Sequence, residues 1–398
     1  MTPSHDLAAL YPQLMDKISR LKKSFEGRFG ERCEIYRAPG RVNLIGEHTD
    51  YNGGFVLPAA LDFSCWVAAG PRKDQHLVIF SENTSEAAEV DLRNGNLRRS
   101  GRWDDYAIGA AWALREDGYP LHGANLYFFG EVPLGAGLSS SAAFEVATGY
   151  ALLDLAGQRI DLQKLALACQ RGENEFVGAR VGIMDQFAAC HGRAGSALLI
   201  DCRSLEHEYV PLPPALSLVV CNSMVRHDLA AGEYNTRRAE CEQGVRLLAS
   251  KMANVSTLRD VRLSDLEVHK TLLSDVIYRR CRHVITENER VLRTVEAFRA
   301  GDLKRVGELM LASHQSLRDD FEVSCAELDL LVDLAKRVPG VVGARMTGGG
   351  FGGCTINLMN RDSVQQFREQ IAPPYKAQFG LTPEIYLCDT ARGVERVS

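Results

Sequence analysis

The chain of 398 residues is 45% hydrophobic and 24% charged, which predicts a globular protein of two or three domains rather than a disordered chain. Its net charge of −5 argues against an extended nucleic-acid-binding surface and favours chemistry on small molecules. No apolar run reaches the length of a membrane span, and residues 1–6 lack the basic and apolar regions of a secretion signal. The eleven cysteines include no Cys-x-x-Cys pair, so they indicate neither a disulfide framework nor a zinc site. We therefore expect a soluble, cytoplasmic protein whose cysteines are reduced and mostly buried.

The chain begins with a predicted amphipathic helix. Apolar residues recur every three or four positions over residues 7–25, and the helix is expected to end near Gly27 or Gly30. A strand-like stretch begins at Ile35, and the dipeptide Pro39-Gly40 within it predicts two strands rather than one.

A polar cluster follows these strands. Glu47, His48 and Asp50 lie between an apolar strand and an Asn-Gly-Gly turn, in a segment that we call the acidic loop (residues 46–54). A zinc site is disfavoured because no second histidine stands at helical spacing, and a solvated loop is the plainer alternative. We favour a clamp for a polyol, since carboxylates and an imidazole suit hydrogen bonding to several hydroxyl groups.

Two aromatic residues stand three positions apart after the strand-like stretch at residues 62–80. Trp103 and Tyr106 could form a flat apolar wall for a nucleobase, and packing in the core is the competing interpretation.

The sequence around which the rest is organised is a glycine- and serine-rich segment between a predicted strand at residues 125–129 and a predicted helix. We call it the serine loop. Glycines let the backbone approach a ligand, while serine hydroxyls at a helix start lie beside free N–H groups and the positive end of the helix dipole. This arrangement predicts a phosphate site, although serine N-caps in a glycine turn are the alternative. No Gly-Lys-Ser/Thr follows, so it is not a Walker loop. The loop consists of Gly135, Ala136, Gly137, Leu138, Ser139, Ser140 and Ser141.

A second carboxylate stands out further along. Glu173 lies on the apolar stripe of a helix predicted over residues 162–176, where a carboxylate is costly unless it is paired or bound to a metal. A Mg²⁺ site beside the serine loop is one interpretation, and a frayed helix end is the other. Asp185, flanked by apolar residues, indicates little by itself.

The second half of the chain begins with short strands and continues mostly as helices. Strands are predicted at residues 197–200 and 216–220, with prolines between them as a candidate boundary. Tyr234 opens a helical stripe and belongs either to the core or to a cleft. Near the end, two strands flank a segment that we call the glycine loop (residues 347–353), whose backbone can close over a ligand or over the serine loop. We predict an α+β fold of two lobes, residues 1–200 and 201–398.

Taken together, the serine loop, the glycine loop and the run Pro39 to Asp50 resemble the family of small-metabolite kinases that includes homoserine, mevalonate and phosphomevalonate kinases. The Gly-Glu-His-Thr-Asp segment at residues 46–50 resembles the galactokinase branch. The resemblance spans nearly the whole chain. It implies an N-terminal lobe like ribosomal protein S5, a C-terminal α/β lobe, and an active site in the cleft between them.

The resemblance also implies roles for individual residues. ATP would lie on the serine loop, with Trp103 and Tyr106 at the adenine pocket, and Mg²⁺ would be held by Ser141 and Glu173. Arg41 and Asp185 would form the catalytic pair. The positions that match the surroundings of the sugar are Arg41, Glu47, His48, Asp50, Gly182, Asp185 and Tyr234.

The implied reaction is transfer of the γ-phosphoryl group of ATP to the anomeric hydroxyl of α-D-galactose, the entry step of galactose metabolism. A kinase for another sugar, such as N-acetylgalactosamine or arabinose, and a catalytically silent sensor of galactose and ATP are the alternatives. The resemblance implies no obligate protein partner, no nucleic acid and no membrane.

Overall fold

A computed structural model describes residues 7–93, 97–133, 135–226 and 230–398 of the chain. The expectation about a secretion signal at residues 1–6 lies outside the described residues. The strands are β1 (Glu34–Asn43), β2 (Phe55–Val56), β3 (Pro58–Pro71), β4 (His76–Ser81), β5 (Glu86–Asp91), β6 (Ala124–Gly130), β7 (Ser196–Asp201), β8 (His207–Pro211), β9 (Leu216–Arg226), β10 (Val341–Thr347), β11 (Gly352–Asn360), β12 (Glu384–Cys388) and β13 (Glu395–Arg396).

Helices make up most of the remainder. They are α1 (Leu7–Phe29), α2 (Asp105–Glu116), α3 (Ser140–Leu155), α4 (Leu162–Arg171), α5 (Met184–His191), α6 (Ala230–Ala249), α7 (Leu263–Val268), α8 (Asp275–Ala300), α9 (Leu303–Asp319), α10 (Ala326–Ala335) and α11 (Val364–Phe379). No helix in the described ranges is long and apolar enough to cross a membrane.

The largest sheet has six strands in the order β13-β1-β3-β6-β4-β5 and is antiparallel except between β4 and β6. Helices α2, α3, α4 and α5 pack against one another, and α3 and α5 contact β1 and β3. Because β13 comes from the end of the chain, this sheet joins both termini of the fold. The serine loop leaves β6 and enters α3, so the sheet and its helices position that loop.

A second sheet has the order β10-β11-β9-β12, and it is antiparallel throughout. Apolar side chains of α10 and α11 form a core against it, and α9 lies along β10. A third sheet, β2-β7-β8, contacts α8. The mixed sheets and helices confirm the α+β fold, whereas the division of the chain near residue 200 stays a prediction.

One local prediction was wrong. Residues 34–43 form one strand, because the Pro39-Gly40 dipeptide is accommodated by a register shift between Pro39 and Arg41 rather than by a break. Strand β8, which was not predicted, pairs with β7 and ends at Pro211, and the boundary at the prolines stays a prediction. The helix predicted over residues 162–176 is confirmed in its extent, since α4 ends at Arg171 and a π-helical segment, Gly172–Val177, follows it directly.

Candidate active site

The end of β1 and the serine loop are joined through Arg41. Its backbone N–H donates to the carbonyl of Leu138 at 3.1 Å, and its side-chain Nη1 donates to the carbonyl of Gly137 at 2.8 Å. The preceding Gly40 has to be glycine, because a Cβ there would lie 2.7 Å from the Leu138 carbonyl oxygen. The irregular register of β1 therefore brings the strand close enough to hold the serine loop.

The same arginine pairs with Asp185 in the first turn of α5. Nε and Nη2 of Arg41 donate to the two carboxylate oxygens of Asp185, each at 2.7 Å, and the Ser139 hydroxyl donates to Oδ2. This two-pronged arrangement is the strong form of an arginine–carboxylate contact. The Arg41 side chain is 6% exposed, whereas that of Asp185 is 26% exposed. Asp185 is thus fixed in direction and still accessible.

The backbone of the serine loop is bent by three residues with positive φ, Gly135, Gly137 and Ser139. Ser139 is the uncommon one, since a side chain disfavours this left-handed conformation. The N-cap interpretation of this serine was wrong: Ser139 occupies the N-cap position of α3 without capping it, and its hydroxyl bonds to Asp185. The N–H groups at the start of α3 are the kind that bind phosphate.

A cavity of about 250 Å³ adjoins the start of α3. Trp103, Tyr106 and Phe144 supply aromatic walls, while Ser140 and Ser141 line the end next to the serine loop. Trp103 and Tyr106 are half-buried, and both also pack against the core. The cavity therefore has an apolar slot beside a helix N-terminus, which is the pairing that a nucleobase and its phosphates require.

Glu47 in the acidic loop is buried, and its carboxylate is bonded on several sides. Arg345 of β10 forms an ion pair with it, and Asn43 donates to it at 2.9 Å. Two groups of the glycine loop also reach it, the Thr347 hydroxyl at 3.1 Å and the Gly348 N–H at 2.9 Å. Glu47 therefore fastens the acidic loop to the glycine loop. Sequence reasoning missed Arg345, although an arginine within an apolar strand was a usable signal.

Helix α8 supports the acidic loop from behind. Glu287 accepts from the N–H of Gly46 at 3.0 Å, and His283 Nε2 donates to the carbonyl of Glu47 at 3.2 Å. Burial lowers the pKa of His283 to about 4. Sequence reasoning also missed both α8 residues, because α8 is distant from the acidic loop in the chain.

His48, Asp50 and Tyr234 come together on one side of the acidic loop. The His48 ring lies 5.5 Å from the Tyr234 ring and 4.6 Å from that of Phe321, measured between centroids. Burial lowers the pKa of His48 to about 3, and its Nε2 has no hydrogen-bond partner within the described ranges. Burial, and then the charge of Asp185, raise the pKa of Asp50 to about 6. The site thus contains a neutral imidazole and a carboxyl group that gains or loses its proton near pH 6.

Gly182 makes room for the Asp50 carboxylate. A Cβ at residue 182 would lie 1.8 Å from Oδ2 of Asp50, so no other residue fits without displacing that side chain. The glycine loop approaches the serine loop in the same way, because a Cβ on Gly348 would lie 3.2 Å from the carbonyl oxygen of Gly137. The Asp50 carboxylate thus requires glycine at residue 182, and the Gly137 carbonyl together with a φ of 84° favours glycine at residue 348.

Glu173 is 6% exposed in the π-helical segment, so the frayed-end interpretation was wrong. Burial, and then the charge of Asp185, raise the pKa of Glu173 to about 7, and the Ser141 hydroxyl hydrogen-bonds to it. A hydroxyl and a carboxylate are hard oxygen ligands, and Mg²⁺ is commonly held by one or two such groups together with substrate phosphates. No group of three or more His, Cys, Asp or Glu side chains suited to a metal occurs in the parts of the chain that the structure describes. The donor set fits Mg²⁺ bound with a nucleotide.

Comparison with known proteins assigns the family. The galactokinase galactose-binding signature matches residues 23–71, and the GHMP kinase N-terminal and C-terminal domains match residues 105–193 and 294–377. A curated galactokinase of Chloroflexus aurantiacus is 48% identical over 384 residues, covering 96% of this chain and 98% of the relative. A galactokinase of Haemophilus influenzae is 44% identical over 363 residues, covering 90% and 93%.

Solved structures agree. The Lactococcus lactis galactokinase in complex with galactose superposes with a TM-score of 0.92 at 35% identity, covering 96% of this chain and all of that one. The Methanococcus jannaschii mevalonate kinase, at 18% identity with a TM-score of 0.63, covers 90% of this chain and 99% of that one and shares the fold. The chain therefore belongs to the galactokinase family of GHMP kinases.

Proposed function

We propose that this galactokinase-family enzyme transfers the γ-phosphoryl group of ATP to the C1 hydroxyl of α-D-galactose, giving galactose 1-phosphate. One observation carries the assignment of the site: Asp185 is held by Arg41 and by Ser139 of the serine loop, and it lies close enough to Asp50 of the acidic loop for its charge to raise the pKa of that carboxyl. A group that accepts a proton from the sugar has to stand at the junction of the nucleotide and sugar sites.

On the sugar side, we assign the hydroxyl-binding groups to His48, Asp50 and Tyr234. The unpartnered Nε2 of His48 and the carboxyl of Asp50 beside Gly182 are polar groups for a sugar to satisfy. Such groups select strongly for correctly placed hydroxyls, because a misplaced hydroxyl leaves one of them buried and unpaired. Glu47, whose carboxylate is committed to four protein groups, acts in this proposal mainly by fixing the acidic loop, with any sugar contact added to those bonds.

On the nucleotide side, adenine occupies the cavity beside Trp103 and Tyr106, and the phosphates lie on the serine loop at the start of α3. Ser141 and Glu173 would hold Mg²⁺, and the bound ion would neutralise charge on the phosphates. The chain supplies the remaining electrostatics through Arg41, whose guanidinium stands between Asp185 and the serine loop carbonyl of Gly137.

In the reaction, Asp185 orients the C1 hydroxyl and accepts its proton as the new O–P bond forms, while the bond from the γ-phosphorus to the β–γ bridging oxygen breaks and ADP leaves. Arg41 favours the ionised aspartate and offsets negative charge on the transferring group. Because the transition state of phosphoryl transfer is loose, much of the rate enhancement comes from alignment by the serine and glycine loops.

The free state of all eleven cysteines supports the cytoplasm as the proposed compartment.

The test is ADP release by purified protein with MgATP, measured across galactose, glucose, N-acetylgalactosamine and arabinose, with the phosphorylated product identified. Galactose should give the highest kcat/KM, with phosphate on C1. A higher kcat/KM for N-acetylgalactosamine or arabinose would make that sugar, rather than galactose, the substrate. Binding of galactose and ATP without turnover would identify the protein as a sensor rather than an enzyme.

A further inference from the structure

Behind the Glu173 carboxylate lies a second buried carboxyl group that the proposed reaction does not use. Glu145 on α3 and Gln186 on α5 are both 0% exposed. The side-chain nitrogen of Gln186 donates to Glu173 at 2.6 Å and to Glu145 at 3.0 Å. One amide group therefore ties together two carboxyl groups from two other segments of the chain.

This arrangement is expensive for a protein core. Oε1 of Glu145 and Oε1 of Gln186 have no hydrogen-bond partner in the portion of the chain that the structure describes. Buried polar atoms without partners destabilise a fold, and an apolar pair of similar volume would be more stable at the same place. The cluster is thus poorly explained as a device for stability.

Its position suggests a different role. Gln186 directly follows Asp185 on α5, so one short helix carries both the residue beside Arg41 and the residue that grips Glu173. Glu173 itself lies in a π-helical segment, whose backbone hydrogen bonding is irregular, and such segments occur frequently at functional sites. A carboxylate on that segment gains a fixed direction from a partner on a regular helix.

We infer that Gln186, backed by Glu145, is a positioning residue that orients Glu173 for Mg²⁺. The inference rests on the proposed function, in which Glu173 is a magnesium ligand. Groups that hold a metal ligand in place typically contribute about 10–100-fold to metal affinity. Gln186 does so while also coupling the geometry of the metal ligand to that of Asp185.

The experiment compares Gln186→Met with wild type by calorimetric titration of ADP in the presence of Mg²⁺ and in the presence of EDTA, with galactose titrated separately. The variant keeps the length of the side chain and removes both hydrogen bonds. We expect the gain in ADP affinity from Mg²⁺ to shrink about tenfold or more, while galactose affinity stays within about twofold. Gln170→Met is the matched control, since Gln170 on α4 donates to the Val181 carbonyl, has no other side-chain hydrogen bond among the described residues, and should leave both affinities unchanged when replaced.

A second pair of variants keeps the test decisive if Gln186→Met does not fold. Glu145→Gln retains an acceptor for Gln186 and should preserve the magnesium effect, whereas Glu145→Leu should weaken it. Equal magnesium effects in these two variants, or in wild type and folded Gln186→Met, would overturn the inference. So would a parallel loss of ADP and galactose affinities, which marks a general packing role. A wild-type ADP affinity that does not respond to Mg²⁺ would instead overturn the metal role of Glu173, and the inference with it.

Discussion

The Arg41–Asp185 and Arg345–Glu47 pairs each join a guanidinium to a carboxylate. The first pair leaves its carboxylate partly exposed, whereas the second buries it inside the protein. In the first pair the side chains are 6% and 26% exposed, and in the second they are 0% and 2% exposed. Glu47 is bonded by four groups of the protein, so its carboxylate is committed to joining two loops. Asp185 is held on one side and open on the other.

The difference shows how one chemical pairing serves either structure or reaction. A fully buried pair holds its neighbours only while both charges are present, because either charge alone would be stranded without water. A partly exposed carboxylate can exchange its contacts with a substrate, and its arginine fixes only the direction of approach. The following four experiments test this contrast, from the largest expected effect to the smallest.

Asp185→Asn should lower kcat by about 10²–10⁴-fold while the fold and galactose binding persist, because the amide keeps the shape and loses the proton acceptor. Steady-state kinetics and galactose titration measure the two effects. Asp362→Asn, at an exposed position, is the control and should match wild type. Turnover close to wild type in folded Asp185→Asn would show that Asp185 only positions the sugar hydroxyl.

Arg345→Met should lower the free energy of unfolding by about 3–5 kcal/mol, because Glu47 is left buried without its counter-charge. Urea unfolding provides the measurement. Adding Glu47→Gln should recover part of the loss, since the stranded charge is removed. Arg293→Met removes an exposed pair with Glu289 and should cost about 0.5 kcal/mol or less. If the two arginine substitutions lowered the free energy of unfolding by similar amounts, the contrast between a buried ion pair and an exposed one would be contradicted.

Asp50→Ala should reduce kcat/KM for galactose more than for glucose, so that the preference between the sugars narrows by about tenfold or more. The two sugars differ in the direction of the C4 hydroxyl, and an opened clamp discriminates less. Asp185→Asn is the control, because loss of the proton acceptor should lower kcat/KM for both sugars by the same factor. An undiminished preference in Asp50→Ala would place discrimination elsewhere, with Tyr234 next to test.

His283→Gln should make stability less sensitive to acid. The pKa of His283 is about 4 in the fold and 6.5 in its ordinary state, so between these values the unfolded chain binds a proton that the folded chain does not. Stability therefore falls as the pH is lowered from 6.5, by up to about 1.4 kcal/mol per pH unit from this residue. The variant should lose that part of the slope in urea unfolding between pH 6.5 and 5. Exposed His122→Gln is the control, and equal slopes in both variants would contradict the assignment.

Contiguous segments of the sequence were enough to predict the loops that surround the site. The serine loop, the acidic loop and the glycine loop each contain their glycines and polar side chains within a few residues, so local conformational preference identifies them. The α+β class and most helices also follow from periodicity, as the helix over residues 7–29 shows. The resemblance to the kinase family added roles that spacing alone did not indicate, above all for Asp185.

Only the tertiary structure decided which carboxylates are bound by other groups of the protein and which face the candidate active site. Glu145 lies in the apolar helix α3 and Glu173 lies on the apolar stripe predicted over residues 162–176, and this signal in the sequence went unused for Glu145. What separates them is the set of neighbours: Gln186 contacts both, whereas Ser141 and the cleft adjoin Glu173. Likewise Glu47 and Asp50 are three residues apart, yet Arg345, Asn43 and the glycine loop bind the carboxylate of Glu47, whereas that of Asp50 faces Gly182. Sequence sets local conformation through short-range sterics and hydrogen bonding, but the charge state and availability of a buried group depend on partners that only the folded chain brings into contact.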